Sequence, residues 1–126
     1  MNYFYVVCPV GADPSFSQKR TVLEELASEL GLQPFFPLQR RNTFTLTVAK
    51  EDIQGAKFVL ADLSLERPSC YFELGLAQAL GATCFIIAKI GTAVHQIGNE
   101  SNVAFYSDLE QYRSKVFDIL SAGAAL

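Results

Sequence analysis

The sequence predicts an α/β fold, a three-layer sandwich around a mostly parallel five-stranded sheet. Three features predict it. Strand-like and helix-like segments alternate along the chain, the strand-like runs are apolar on both faces, and the connections between them are short. Crossovers of this kind are right-handed, which places helices on both faces of the sheet.

Residues 3–8 are aromatic and β-branched, run into Pro9 and Gly11, and read as a buried central strand. After a loop over 9–16, Ser17 is the expected N-cap of a first helix. Its apolar positions Val22, Leu23, Leu26, Ala27 and Leu30 recur at helical spacing until Gly31. Residues 33–37 read as a short second strand, which Pro34 and Pro37 assign to the sheet edge. Residues 40–47 are polar and β-branched without a clear period; beyond them Val48, Ile53 and Ala56 fit the inner stripe of a helix ending near Gly55.

Residues 57–63 form a third buried strand closing on an acid, and the proline at 68 marks 64–69 as a loop. A helix is expected over 71–81, a fourth strand over 83–88 and a fifth over 103–106. The last helix spans 108–120, with Leu109, Tyr112, Val116, Phe117 and Leu120 on one face. Residues 121–126 are expected to fray. No repeat, low-complexity tract or linker interrupts the pattern, so residues 1–126 are expected to form one domain. The predicted layout is flavodoxin-like with strand order 2-1-3-4-5. Its ligand crevice lies at the switch point between strands one and three, where the loops starting at Cys8 and Asp62 run side by side.

Composition narrows the functional classes. The chain is 50% hydrophobic and 18% charged over 126 residues, with a mean hydropathy of +0.21. That is richer in apolar residues than a typical soluble domain, and the loops are too short to enclose a nucleotide alone, so a homo-oligomer is expected. A net charge of -3 argues against nucleic acid as partner, because phosphate backbones demand a basic field. Cys8, Cys70 and Cys84 lack CxxC spacing and His95 is the single histidine, so neither a metal site nor a disulfide framework is expected. No basic leader precedes the first strand and no apolar run reaches membrane-spanning length; a cytoplasmic protein with no membrane partner is expected.

The stretch ADLSLERPSCYFELGLAQALGATCFIIA, residues 61–88, carries the chemistry. Asp62 is expected at the carboxyl end of the third strand and Glu73 in the first turn of the next helix, with both carboxylates facing the crevice. The partial positive charge of a helix N-terminus holds such a glutamate ionised unless burial opposes it. A fixed carboxylate there suits two tasks. It can attack or shelter an anomeric carbon as a glycosidic bond breaks, and it can accept hydrogen bonds from ribose hydroxyls. The plainer alternative is that Glu73 complements the helix dipole and Asp62 caps its loop. Two acids on one strand-loop-helix unit favour the ligand site. Gly75, Ala77 and Ala79 leave little bulk, suiting close packing on the sheet or on a neighbour.

The run DLS followed by PSCYFELGLAQALG resembles the DLT...NPNVFYELG.A.ALGKP.I.I signature of nucleoside 2-deoxyribosyltransferase-like proteins and related bacterial Toll/interleukin-1 receptor-like (TIR-like) domains. The opening YVVCPVG with Ser17-Gln18-Lys19-Arg20 is similar to the FVI.PIG...S..R start of the TIR-like branch. The resemblance extends through NVAFYSDLEQY near the end of the chain. It implies that Glu73 is the catalytic glutamate of an enzyme that cleaves N-glycosidic bonds without a cofactor, with NAD or a nucleoside monophosphate as substrate and a role in antiphage signalling. It implies that Asp62 contacts the nucleoside, with Ser64 beside it in the DLS run. Tyr3 or Tyr5 and the loop from Cys8 through Pro9 and Gly11 to Asp13 would form the first-strand wall. Ser17 and Arg20 would take a phosphate.

The chain also departs from the pattern. The aspartate that protonates the leaving base in deoxyribosyltransferases would fall near Ala49, with Asp52 one turn away. Ser69 and Cys70 stand where the motif has asparagine, and Ala82 where it has lysine. These changes weigh against deoxyribosyl transfer, which is kept as one alternative. They favour another, a catalytically silent nucleotide-binding or sensing module. A purely structural interaction domain is a third.

Several residues have two readings. Tyr71 stacks on a base or fills core, whereas Phe72 is assigned to the core. His95, in a loop with Gly91, Gly98 and Asn99, closes over the crevice or is solvated. Cys8 is a reactive thiol or an inert buried one. Arg40 and Arg41 bind a phosphate or are a surface pair.

Overall fold

The computed structural model describes residues 2–37, 43–95, 97 and 100–126. The sequence positions Arg40, Arg41, Gly98 and Asn99 weighed above lie outside them. Five strands, β1 (Tyr3–Val7), β2 (Gln33–Phe35), β3 (Val59–Asp62), β4 (Cys84–Lys89) and β5 (Val103–Tyr106), form one parallel sheet in the order β2-β1-β3-β4-β5. Among the described residues, the α-helices between and after them include α1 (Phe16–Glu29), α2 (Leu46–Gly55), α3 (Pro68–Ala79) and α4 (Leu109–Ala124). This is the flavodoxin-like α/β arrangement that the alternating pattern predicts.

Side-chain alternation along the strands divides the core between the two faces of the sheet. Phe4, Val6, Phe58, Leu60 and Ile87 point one way and bury Val22, Leu23 and Leu26 of α1 with Tyr112, Val116 and Leu120 of α4. Tyr5, Val7, Val59 and Ala61 point the other way, against Ile53 of α2 and Cys70, Leu74 and Ala77 of α3. The pairing of Tyr5 with Val59 across β1 and β3 keeps the faces in phase. Edge strand β2 pairs only with β1, and Pro34 sits opposite Phe4.

Four local expectations are corrected. Ser15, not Ser17, occupies the N-cap of α1; its backbone N–H is bound by the Asp13 carboxylate at 2.8 Å, while Ser17 is exposed inside the helix. α4 does not fray after Leu120 but runs to Ala124, because Gly123 packs against the Phe58 ring, where a Cβ would overlap it. α3 begins at Pro68, so Glu73 is its sixth residue, in the second turn and not the first. Phe72 is 54% exposed and is not core. Of the small residues on α3, Ala77 is buried on the sheet, whereas Gly75 and Ala79 face outward.

Candidate active site

A cleft of about 930 Å³ opens beyond the carboxyl end of β1. Its wall is Cys8, Pro9, Val10, Gly11 and Ala12 from the loop after β1; Arg67, Ser69, Phe72 and Glu73 come from the start of α3, and Phe44 from the segment before α2. Glu73 and Arg67 are the charged residues among these, and most of the remainder is apolar. The volume matches that of small-molecule sites.

Glu73 is held from below. The Tyr5 hydroxyl, rising from the fully buried ring in β1, donates to Glu73 Oε2 at 3.1 Å. Burial pushes the Glu73 carboxyl above the ordinary glutamate range, and the Tyr5 hydrogen bond opposes that rise by stabilising the ionised form. The Tyr5 phenol is itself driven upward by burial and then by the neighbouring negative charge of Glu73, so it stays protonated and remains a donor. Burial likewise raises the Cys8 thiol, followed by the Asp62 charge, which leaves it protonated and a poor nucleophile. Cys70, beneath the same helix turn, is pushed up to about 11, first by burial and then by Glu73.

Asp62 does not join Glu73. Strand parity turns it, like Phe58 and Leu60, toward α1 and α4. Its Oδ2 accepts from the Tyr106 hydroxyl at 2.8 Å and from Lys19 Nζ at 3.4 Å, and its Oδ1 accepts from the Ser64 amide at 3.0 Å. Lys19 also donates to Asp13 at 2.7 Å and to the Tyr106 hydroxyl at 2.6 Å. Burial alone would lower the Lys19 ammonium; the Asp62 charge and the bonds to Asp13 and Tyr106 outweigh it and raise the group, so it stays charged. Ser64 is spent in the same cluster, since its hydroxyl accepts from the Lys89 amide at 2.8 Å. Lys19 therefore fastens the far end of the cleft-forming loop, through Asp13, to the end of β3. A separate cavity of about 180 Å³ borders this cluster, lined by Lys19, Ser64, Lys89 and Tyr106 among others.

The other sequence-selected residues divide. Cys8, Pro9, Gly11 and Glu73 line the cleft, with Tyr5 behind Glu73. Ser17 and Arg20 do not line it: Arg20 lies on α1, facing Glu24 at 3.6 Å and the Phe36 ring at 5.3 Å. Tyr71 turns away, its hydroxyl accepting from the His95 amide at 3.1 Å, and His95 Nε2 lies 3.0 Å from Glu66 Oε1. Ala49 and Asp52 are both buried and share with Tyr5 and Phe44 the wall of a small cavity of about 10 Å³, roughly the threshold for one water.

Arg67, Phe44 and Lys19 went unselected. Lys19 had a readable signal, because it stands three and four residues before Val22 and Leu23 on the inward stripe of α1, where a charge demands a buried partner. Phe44 meets Phe72 edge to face at 6.1 Å between ring centroids, a contact that no local spacing announces. Among the described residues, no group of three or more His, Cys, Asp or Glu side chains is placed to hold a metal ion, and no helix is long and apolar enough to cross a membrane.

No protein-family model matches the chain, and no curated protein matches it by sequence. Solved structures do share its fold. The CMP N-glycosidase BcmB of Clostridium botulinum superposes with a TM-score of 0.65 at 16% identity, covering 91% of this chain and 98% of that one. A 2-deoxyribosyltransferase from the psychrotolerant bacterium Bacillus psychrosaccharolyticus superposes with a TM-score of 0.63 at 17% identity, covering 94% of this chain and 95% of the other. At these identities the likeness is one of fold.

Proposed function

We propose that the chain breaks the N-glycosidic bond of a nucleotide or nucleoside, with Glu73 as its catalytic carboxylate. The observation that carries this reading is a half-buried carboxylate, fixed by Tyr5, opening into a nucleotide-sized cleft with largely apolar walls. Two solved neighbours of the same fold bear the names of a CMP N-glycosidase and a 2-deoxyribosyltransferase, which supports the same class of bond.

In this reading the sugar lies over Glu73. As the bond from the anomeric carbon to the base nitrogen breaks, its electron pair leaves with the base, which takes up a proton. The positive charge left on the sugar faces the carboxylate, which shelters it or bonds to it. Water then adds its oxygen to the anomeric carbon and releases a proton; where the carboxylate has bonded, that C–O bond breaks with its electron pair returning to Glu73. Phe44 and Phe72, 39% and 54% exposed at the mouth, offer faces for a flat base. Asp52, buried beside Tyr5, is the candidate donor of the proton in place of an acid at Ala49. NAD as substrate and a place in antiphage signalling rest on the TIR-like motif resemblance alone. A homo-oligomer covering the open mouth, a single domain over the whole chain, a cytoplasmic location and the absence of a cofactor belong to the same reading.

One observation favours the silent nucleotide-binding module instead. Asp62, the second acid of the motif, is committed to Lys19 and Tyr106 and leaves Glu73, among the described residues, as the carboxylate lining the cleft. Incubating the protein with NAD, nucleoside monophosphates, nucleosides and deoxynucleosides, and separating products by chromatography, tests both readings. Free base supports cleavage. Saturable binding with no base released over many hours supports the module.

A further inference from the structure

We propose that the outer edge of β5 joins two copies of the chain, their β5 strands antiparallel about a two-fold axis at Ala104 and their sheets merged into one. This edge lies three strands away from β1 and leaves the cleft uncovered, so the interface is independent of the glycosidic reading and distinct from an oligomer that covers the mouth.

The two edges of the sheet differ. β2 carries Pro34, which has no N–H to offer, whereas β5 reads VAFY, with neither proline nor charge to discourage a further strand. Successive residues of a strand turn their N–H and C=O groups to opposite sides. The Ile90 amide donates to the Tyr106 carbonyl at 2.8 Å, so Tyr106 and Ala104 face β4, and Val103 and Phe105 present their N–H and C=O groups outward. Among the described residues, no group donates to or accepts from that outward row.

A second copy of the chain is the occupant that fits. Set antiparallel about Ala104, Val103 of each copy lies opposite Phe105 of the other and exchanges both hydrogen bonds with it, so every outward group of the strand is used. The ladder ends there, because the Ser107 amide is already held by Gln111 Oε1 at 2.9 Å. The axis falls on a non-hydrogen-bonded pair, where side chains approach most closely, and alanine is small enough for that approach. Charge agrees with the same axis. α4 packs on β5, with Tyr112 against Tyr106, and turns Arg113 toward Glu25 of α1, which leaves Lys115 and Ile119 on the flank nearer the sheet edge. The helix runs back along the strand from Leu109, at about 1.5 Å per residue against about 3.3 Å, which sets Val116 level with Ala104. Lys115 and Asp118 stand on either side of that level, both exposed and without an ion pair among the described residues. The two-fold runs the α4 helices antiparallel and sets Lys115 of one copy toward Asp118 of the other.

Sedimentation velocity of the full chain over a wide concentration range, with amide hydrogen exchange at both ends of that range, tests the interface. A contact of one short strand and one helix flank is at the small end for specific association, so a reversible dimer dissociating at micromolar concentration is expected. The Val103 and Phe105 amides should exchange more slowly as the dimer forms, while Ala104 and Tyr106, bonded to β4 in either state, stay unchanged. Lys115→Glu should weaken the dimer about 3- to 10-fold, since the contact occurs twice, and adding Asp118→Lys should restore it. Both side chains are exposed, so the variants keep the fold. A chain that stays monomeric at every concentration overturns the proposal and leaves the edge to a strand of another protein. A dimer indifferent to Lys115→Glu, or one in which Val103 and Phe105 exchange equally fast at every concentration, also overturns it and assigns association to another face.

Discussion

The hydroxyl of Tyr5 lies 3.1 Å from Glu73 Oε2, joining the centre of a fully buried strand to the second turn of the helix that borders the cleft. The bond opposes burial in setting the charge of the carboxylate. Burial favours the protonated acid, the phenolic donor favours the anion, and chemistry at a developing cation requires the anion.

Removing that donor therefore shifts the balance. In Tyr5→Phe the Glu73 carboxyl rises further, and the acidic limb of the activity profile moves to higher pH. Activity near neutral pH is expected to fall about 10-fold or more, as for loss of one hydrogen bond to a charged group. A pH–rate profile of base release checks the shift; a variant that is slower with an unmoved acidic limb contradicts it.

The same carboxylate works against stability. Its folded-state affinity for a proton exceeds its unfolded one, so the folded state loses stability as pH rises from the ordinary glutamate range through the raised folded one. Glu73→Gln removes that penalty while keeping an oxygen for Tyr5. The variant is expected to melt above the unaltered chain at pH 7, with the gap closing toward pH 4. Thermal unfolding at the two pH values measures it, and a gap that widens in acid is the contrary result.

The Lys19 cluster stabilises the fold rather than lining the cleft. The Lys19 and Asp62 side chains are 12% and 4% exposed, so Lys19→Met strands buried acid and should cost about 3 kcal/mol. Because Asp13 anchors the loop that ends the cleft wall, substrate affinity should fall as well. Urea unfolding supplies the first quantity and a KM measurement the second.

Two glycines should respond oppositely to alanine. At Gly75 an added Cβ meets nothing within 4 Å on an exposed helical face, and Gly75→Ala should stabilise by about 0.5–1 kcal/mol. At Gly123 the Cβ would strike Phe58, whose ring stacks on Phe4 at 5.1 Å and meets Phe85 edge-on at 5.5 Å, so it has little room to yield. Overpacking there costs about 1–3 kcal/mol, more than the helix gains. Chemical denaturation of both variants tests the pair.

Most of the fold was legible because each strand is an unbroken apolar run and each helix carries its own stripe. The strand order followed from alternation and crossover handedness. Boundaries set by long-range contact were not legible: α4 extends through Ala124 because Gly123 meets Phe58 across a long stretch of chain. Asp62 misled for a different reason. It does lie at the carboxyl end of β3, but the two-residue period that turns Val59 and Ala61 toward α3 turns Asp62 away, and that parity was readable in the sequence. Arg67 and Phe44 belong to the cleft only through folding, and their spacing carries no mark of it.

In the proposed reaction Glu73 acts on the sugar. Base release from nucleoside 5′-monophosphates under single-turnover conditions, comparing the unaltered chain with Glu73→Gln, tests it most directly. A loss of about 10³-fold is expected, with the variant still folded and still binding nucleotide. Release that persists undiminished in Glu73→Gln would contradict it.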